Sequence, residues 1–205
     1  GRLDRLRLEE ELRAVAGDAG GRVTRKTLDL IAAPTALQPG GYVPKAYADR
    51  VTPSVASATL DVQRDPKLRR IRLTWSCPEA VREADRETDR FVDAAALTAP
   101  EVADAPWISM GAPGKALGGA LWRADRAELT AFRAEGLGSV ERQPPPADWK
   151  VTAAWDAGTW SVTFDLDPWP QLEASSRLAV AIWRGAANDR GGLKSISPGW
   201  VTVEP

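Results

Sequence analysis

Histidine is absent from the 205 residues of this chain, and cysteine and methionine occur only once each. Without histidine the commonest general base is missing, which excludes Ser-His-Asp and Cys-His catalytic sites. The single cysteine, Cys77, excludes an intrachain disulfide and leaves the redox compartment undetermined. Phosphate-binding loops, HExxH zinc sites and CxxC pairs are missing as well.

Long apolar runs and a marked excess of either charge are also missing. No segment approaches the roughly 20 apolar residues of a membrane-spanning helix, so we expect no membrane span. Lys and Arg total 27 against 28 Asp and Glu, a net charge of -1, which gives no reason to expect nucleic acid as a partner. No apolar region follows the charged residues 1–4, so no signal peptide is visible.

Alternation of apolar and polar residues is the main structural signal in the chain. It occurs in five segments: 71–75, 149–155, 160–166, 178–182 and 200–203. Residues 156–159, Asp-Ala-Gly-Thr, separate the second segment from the third and predict a hairpin turn. Strands at short spacing predict a mainly β fold, an antiparallel β-sandwich. Residues 123–133 are expected to form one or two helical turns.

The N-terminal part of the chain differs from the rest. Residues 1–16 place Leu3, Leu6, Leu12 and Val15 near one face and predict a short amphipathic helix. Prolines at intervals predict a loop over residues 22–54. We therefore expect an N-terminal arm, residues 1–30, docked on its own domain or on a partner chain, and a sandwich domain, residues 31–205.

The only methionine, Met110, lies in a Gly/Pro-rich loop at residues 106–114. A thioether is a soft ligand that suits iron or copper. From this residue alone, however, a flexible filler of a core gap is the favoured interpretation. A second loop, residues 188–198, contains Lys194 after the glycine pair Gly191 and Gly192, and its composition alone favours a lysine that faces water.

Two further candidate sites come from charge and from tryptophan. Asp85, Glu87 and Asp89 resemble an acid/base pair or a calcium loop, but the interleaved arginines favour a solvated connector. Exposed indoles among the nine tryptophans could stack on sugar rings, as in carbohydrate-binding modules. Since Trp75 and Trp160 fall on predicted strands, core packing is favoured for most of them.

Several segments share their order and spacing with a known family. They are residues 36–39, 42–47, 73–75, 91–97, 107–111, 121–125 and 190–195. Over roughly residues 31–205 the chain resembles the haem-binding gamma subunit of dimethyl-sulfoxide-reductase-like molybdoenzymes. These include ethylbenzene and dimethyl-sulfide dehydrogenases and chlorate and selenate reductases. Family members often have a more aromatic segment where this chain has Gly118-Gly119-Ala120.

The resemblance implies a β-sandwich that carries one b-type haem between a methionine and a lysine. The methionine corresponds to Met110 and the lysine to Lys194. The matching motifs add further expected cofactor contacts, namely Trp107, Gly111, Trp122 and Leu193. Two protein ligands leave no free iron position for substrate, so we expect electron transfer without catalysis by this chain itself.

The resemblance also implies partners and a compartment. The expected partners are an iron–sulfur beta subunit, a molybdopterin-containing alpha subunit and an external cytochrome or other electron carrier. Several family members are exported, so a periplasmic or extracytoplasmic location is expected, with a cytoplasmic one left open. The alternative function is a carbohydrate-binding β-sandwich module without a redox role.

Overall fold

A computed structural model of the chain describes residues 22–65, 68–84 and 91–203. The predicted helix at 1–16 and the charged stretch at 85–90 lie outside these residues. In chain order the strands are β1 (Arg22–Asp29), β2 (Ile31–Ala32), β3 (Ser57–Asp65), β4 (Leu68–Ser76), β5 (Ala94–Pro100), β6 (Leu117–Arg123), β7 (Thr130–Ala134), β8 (Glu141–Gln143), β9 (Lys150–Asp156), β10 (Thr159–Asp165), β11 (Arg177–Trp183), β12 (Ser195–Ile196) and β13 (Val201–Thr202).

Two antiparallel sheets contain these strands. The first has the order β1-β3-β4-β10-β9, and the second has the order β2-β12-β11-β5-β6-β7-β8, with β13 also pairing with β11. The described helices are short: α1 (Tyr42–Ala46), α2 (Pro170–Ser175) and two 3-10 turns at Thr35–Leu37 and Gly185–Ala187. The mainly β prediction is therefore confirmed. No helix in the described ranges has the length and apolar character needed to cross a lipid bilayer.

The alternating segments form strands as predicted, because each presents its large apolar residues to the space between the sheets. Leu60, Leu73 and Phe164 from the first sheet meet Leu97 and Ile182 from the second, and all five are fully buried. Such burial of aliphatic and aromatic side chains is the main force that holds two sheets together. The predicted hairpin also forms between β9 and β10, with Ala157 and Gly158 at φ 46° and 80°, values typical of a type I′ turn.

Two sequence-based predictions are wrong. Residues 22–29 form β1 and not a loop, since every one of them pairs with β3 and the prolines begin only at Pro34. The sandwich therefore includes residues 22–29, which the sequence pattern places in the N-terminal arm. Residues 123–133 contain the turn between β6 and β7 and not helical turns. The bond from the Arg126 amide to the Arg123 carbonyl (3.1 Å) closes this turn, and Ala131 is buried in the next strand.

Asp93 is a fully buried carboxylate that joins three parts of the fold. One of its oxygens accepts hydrogen bonds from the Trp160 indole (2.9 Å) and the Val81 amide (2.8 Å), and the other accepts from the Gly185 amide (2.8 Å). The Cys77 thiol donates to it at 3.6 Å, and burial beside this carboxylate raises the pKa of the thiol to about 12. Cys77 is therefore an unreactive structural thiol.

Replacing Asp93 with alanine is expected to lower the free energy of unfolding by roughly 3 kcal/mol or more, because three buried donors lose their acceptor. Urea unfolding followed by tryptophan fluorescence measures the change. Asp104→Ala is the matched control, since Asp104 is an exposed carboxylate paired only with Lys115. Equal stability losses in the two variants would contradict the structural role of Asp93.

The outer face of the second sheet differs from its inner face in side-chain size. On β11 the inward residues Leu178, Val180 and Ile182 are large, whereas the outward residues in the middle of β5 and β11 are small. The outward set is Ala94, Ala96, Thr98, Ala179 and Ala181, apart from Trp183 at the end of β11. Loops cover this face, so β5 is buried on both sides. Small residues beneath covering loops leave room for a pocket.

Candidate functional site

A pocket lies between this outer face and the loops that cover it. The empty space there, including the part open to solvent, is about 530 Å³. Its floor consists of Ala96, Thr98, Ala179 and Ala181, and its other lining residues include Gln38, Trp107, Ile108, Met110, Phe132, Leu137, Trp183 and Lys194. Because the floor is flat and made of small residues, the pocket suits a flat, mainly apolar ligand.

Met110 reaches this pocket from a tightly constrained turn. Its backbone has φ 56°, a conformation that side-chain-bearing residues rarely adopt, and its carbonyl accepts the Gly136 amide at 2.9 Å. The next residue, Gly111, has φ 89°, and a Cβ there would lie 2.7 Å from the Lys115 carbonyl oxygen. Strain of this kind persists where the surrounding structure imposes it, often at binding sites.

Lys194 reaches the same pocket from the loop between β11 and β12. The reciprocal backbone bonds of Arg190 and Leu193 (3.0 and 2.8 Å) close a turn just before it. The Lys194 carbonyl accepts the Ala33 amide at 2.9 Å, which attaches the loop to the segment around β2. These bonds fix the backbone at Lys194, so the position of its amine depends on the conformation of the side chain.

The two predicted ligand side chains meet directly. The ammonium Nζ of Lys194 donates to the Met110 Sδ at 3.5 Å. Metal–nitrogen and metal–sulfur bonds of about 2.0 and 2.3 Å, as in zinc sites, add up to more than this distance. The side chains must therefore separate by roughly 1 Å to hold an ion between them, a movement that the long, flexible stems of both residues permit.

The surroundings of Lys194 shift its amine towards the neutral form. Burial alone lowers the pKa of Lys194 to about 8, and no carboxylate opposes this shift. Only the neutral amine has a lone pair for a metal. In the described ranges no group of three or more His, Cys, Asp or Glu side chains could hold a metal ion. The Met110 and Lys194 pair is therefore a soft-and-nitrogen donor set of the kind that haem iron accepts.

Of the other four predicted cofactor contacts, only Trp107 lies at the pocket. Trp107 lines the pocket together with Met110 and Lys194. Trp122 points to the inner face of β6, where its ring packs against Trp160 with centroids 4.9 Å apart. Leu193 is buried and lies with Lys194 at a second, narrow crevice, and Gly111 supports the methionine turn without lining the pocket.

A comparison with known proteins finds a relative whose name mentions heme. A protein of Haloferax mediterranei whose name describes it as a respiratory nitrate reductase heme subunit is 28% identical to this chain over 173 residues. The alignment covers 78% of this chain and 62% of the relative, so the chain spans less than two thirds of the relative's length. No family model matches the chain.

Sequence reasoning missed several residues of the pocket. Gln38, Phe132, Leu137 and Trp183 all line it, although none was among the predicted contacts. Phe132 supplies an aromatic ring beside Gly119, where a Cβ would lie 2.5 Å from the ring. Gly119 thus leaves room for the ring of Phe132 on the neighbouring strand β7. The signal available in the sequence was the alternation of large and small residues on β11, from Leu178 to Trp183.

Proposed function

We propose that this chain is an electron-transfer subunit that binds one b-type haem, with Met110 and Lys194 as the axial ligands of the iron. One observation carries the proposal. The Met110 thioether contacts the Lys194 amine, whose pKa is lowered, at a pocket with a floor of small residues. The similarity to a protein named as a nitrate reductase heme subunit supports it. When bound, haem iron supplies reversible one-electron transfer.

The residues of the pocket account for binding and for the choice of chemistry. The small floor residues admit a flat macrocycle, while Trp107, Phe132 and Leu137 provide apolar walls that restrict water. Two protein ligands leave no free coordination position for a substrate, which favours electron transfer over substrate chemistry. A thioether ligand and an apolar environment both favour the reduced iron and raise the potential.

The cysteine content supports non-covalent attachment, as in b-type cytochromes. Covalent attachment of haem uses a CxxCH motif, and this sequence has one cysteine and no histidine. That cysteine, Cys77, is fully buried and packs with Asp93 between the sheets. Retention of the haem therefore depends on Met110, Lys194 and the pocket walls.

The proposed partners are the other subunits of a molybdenum oxidoreductase. An iron–sulfur subunit would exchange electrons with this chain, a molybdopterin subunit would carry out substrate chemistry, and a cytochrome would be the external carrier. The relative's name, which places it in a respiratory nitrate reductase, supports this type of assembly. We also propose that this assembly lies outside the cytoplasm.

The sugar-binding alternative finds no support in the indole side chains. All nine tryptophans lie within the described ranges, and each is buried or half-buried. Trp75, Trp122 and Trp160 form a cluster inside the sandwich, with ring centroids 4.9–6.4 Å apart. A stacking platform for sugar rings needs a well-exposed indole, and none of these nine residues falls in the exposed class.

An absorption spectrum of the purified, haem-supplemented protein tests the proposal. We expect one haem per chain, a Soret band, and on reduction the sharp visible bands of a low-spin iron with two protein ligands. Calorimetric titration with oligosaccharides is the parallel measurement for the alternative. A protein that takes up no haem, whether or not it binds sugar, would overturn the proposal.

A further inference from the structure

We propose that Trp183 is a positioning residue that holds the amine of Lys194 in place at the pocket through two separate contacts. The indole N–H anchors the backbone of the lysine loop, and the indole ring lies against the amine itself. The inference rests on the proposed function in one respect, namely that the Lys194 amine is an iron ligand. The positioning can be measured without haem.

The first contact fixes the loop to the sheet. Trp183 is the last residue of β11, on the outward face with the floor residues, opposite Ala94 of β5. Its Nε1 donates to the Gly191 carbonyl at 3.0 Å. Since Lys194 follows Gly191 by three residues across a closed turn, this hydrogen bond sets where the lysine leaves the backbone.

The second contact fixes the end of the side chain. The Lys194 Nζ lies 5.0 Å from the centroid of the Trp183 ring, within the range of about 6 Å for an amine against an aromatic face. On its other side the same nitrogen contacts the Met110 Sδ at 3.5 Å. The amine is therefore held between the indole and the thioether, beside the floor of the pocket.

The chemistry of an indole suits this position. A lysine side chain has many rotamers, and ordering it in advance lowers the cost of binding. A carboxylate could order the amine equally well, but its negative charge would hold the ammonium form and compete with a metal. An aromatic face attracts the ammonium form more weakly than a carboxylate does, so it orders the side chain with less competition against a metal, and it also contributes an apolar wall to the pocket.

Trp183→Phe and Trp183→Leu separate the two contacts, because phenylalanine keeps a ring and loses the N–H, whereas leucine loses both. Trp149→Phe is the matched control: Trp149 is half-buried, and its Nε1 donates to the Pro168 carbonyl at the same 3.0 Å. Trp149 does not line the pocket. Thermal unfolding of each variant shows whether the fold is retained.

The haem-free readout is the NMR signal of the Lys194 side chain. In the wild type we expect the Lys194 ε-protons to be shifted upfield by the Trp183 ring current, and we expect Trp183→Phe to keep part of this shift. Trp183→Leu should abolish it, and Trp149→Phe should leave it unchanged. An unshifted wild-type signal, or one that Trp183→Leu does not alter, would overturn the inference.

The haem-loaded readout is the dissociation constant for haem. We expect it to rise about threefold to tenfold in Trp183→Phe, the range for loss of one neutral hydrogen bond, and further in Trp183→Leu. If Trp183→Leu does not fold, the test rests on the NMR shift and the haem dissociation constant of Trp183→Phe. A wild type with the ring-current shift but without haem binding would contradict the proposed function and leave the positioning intact. Haem affinity that is equal in all three variants would overturn the inference.

Discussion

Lys194→Met is expected to retain haem in a low-spin state and to raise its reduction potential by roughly 100 mV, within the span of about 0.8 V that axial ligands provide. A thioether donates less electron density than an amine and therefore favours ferrous iron. The new side chain is unbranched and similar in length, so it can occupy the same half-buried position beside Trp183. Spectroelectrochemical titration of the wild type and the variant measures the potentials.

The pH dependence of haem binding should change in the same variant. Burial lowers the pKa of Lys194 to about 8, so below that pH the amine carries a proton that must leave before the nitrogen can bind iron. Wild-type affinity should therefore rise about tenfold per pH unit up to about pH 8 and then level off. In Lys194→Met this rise should be absent.

The stability of the haem-free protein provides a second test of the direction of the Lys194 pKa shift. A lysine with a lowered pKa binds fewer protons when folded than when unfolded, and the difference exists between about pH 8 and the ordinary value of 10.5. In this window the stability of the wild type should rise with pH relative to Lys194→Met. Below pH 8 the stability penalty for the buried ammonium is fully present.

Lys150→Met is the matched control for these experiments, since Lys150 is an exposed lysine on β9. We expect it to keep the wild-type potential and the wild-type pH dependence. If Lys194→Met also kept both, Lys194 would be an ordinary lysine, and another residue would have to bind the iron.

Met110→Leu is expected to weaken haem binding by at least about tenfold, and to leave a high-spin ferric component. Leucine has nearly the same volume and apolar character, so the variant removes the sulfur with little change in packing. It also keeps a side chain at φ 56°, so the backbone strain of the turn is the same in both proteins. Loss of a ligand bond then remains as the cause of weaker binding.

The matched control for this prediction is Ile108→Leu, an apolar exchange at another residue that lines the pocket. Haem titrations followed at the Soret band compare the dissociation constants and the spin states. Equal weakening in the two variants would mean that packing, and not the sulfur of Met110, holds the haem.

Strands β4, β9, β10 and β11 were predictable because large residues recur there at every second position. Leu73, Phe164 and Ile182 each lie within such a run, and each is buried between the sheets. The hairpin at residues 156–159 was predictable because Gly158 readily adopts the positive φ that its turn requires. β1 was missed, since its pairing with β3 depends on a partner strand that is distant in sequence.

The site was predictable only in its two ligand candidates. Met110 and Lys194 lie 84 positions apart, and chemistry and family resemblance selected them without any information on distance. The resemblance at residues 121–125 did not say which face of β6 the cofactor would use, so Trp122 was expected at a site to which it does not point. Trp183 had no sequence signal, because its role depends on a loop that folds back over the sheet.

The methyl resonance of Met110 tests the central claim most directly. This chain has one methionine, so [methyl-13C]methionine labelling yields a single signal that reports on the proposed ligand alone. On binding of reduced haem, we predict a large upfield shift of this signal, because an axial thioether lies directly over the face of the macrocycle. A signal that stays at its haem-free position while the Soret band shows full haem binding would contradict the account.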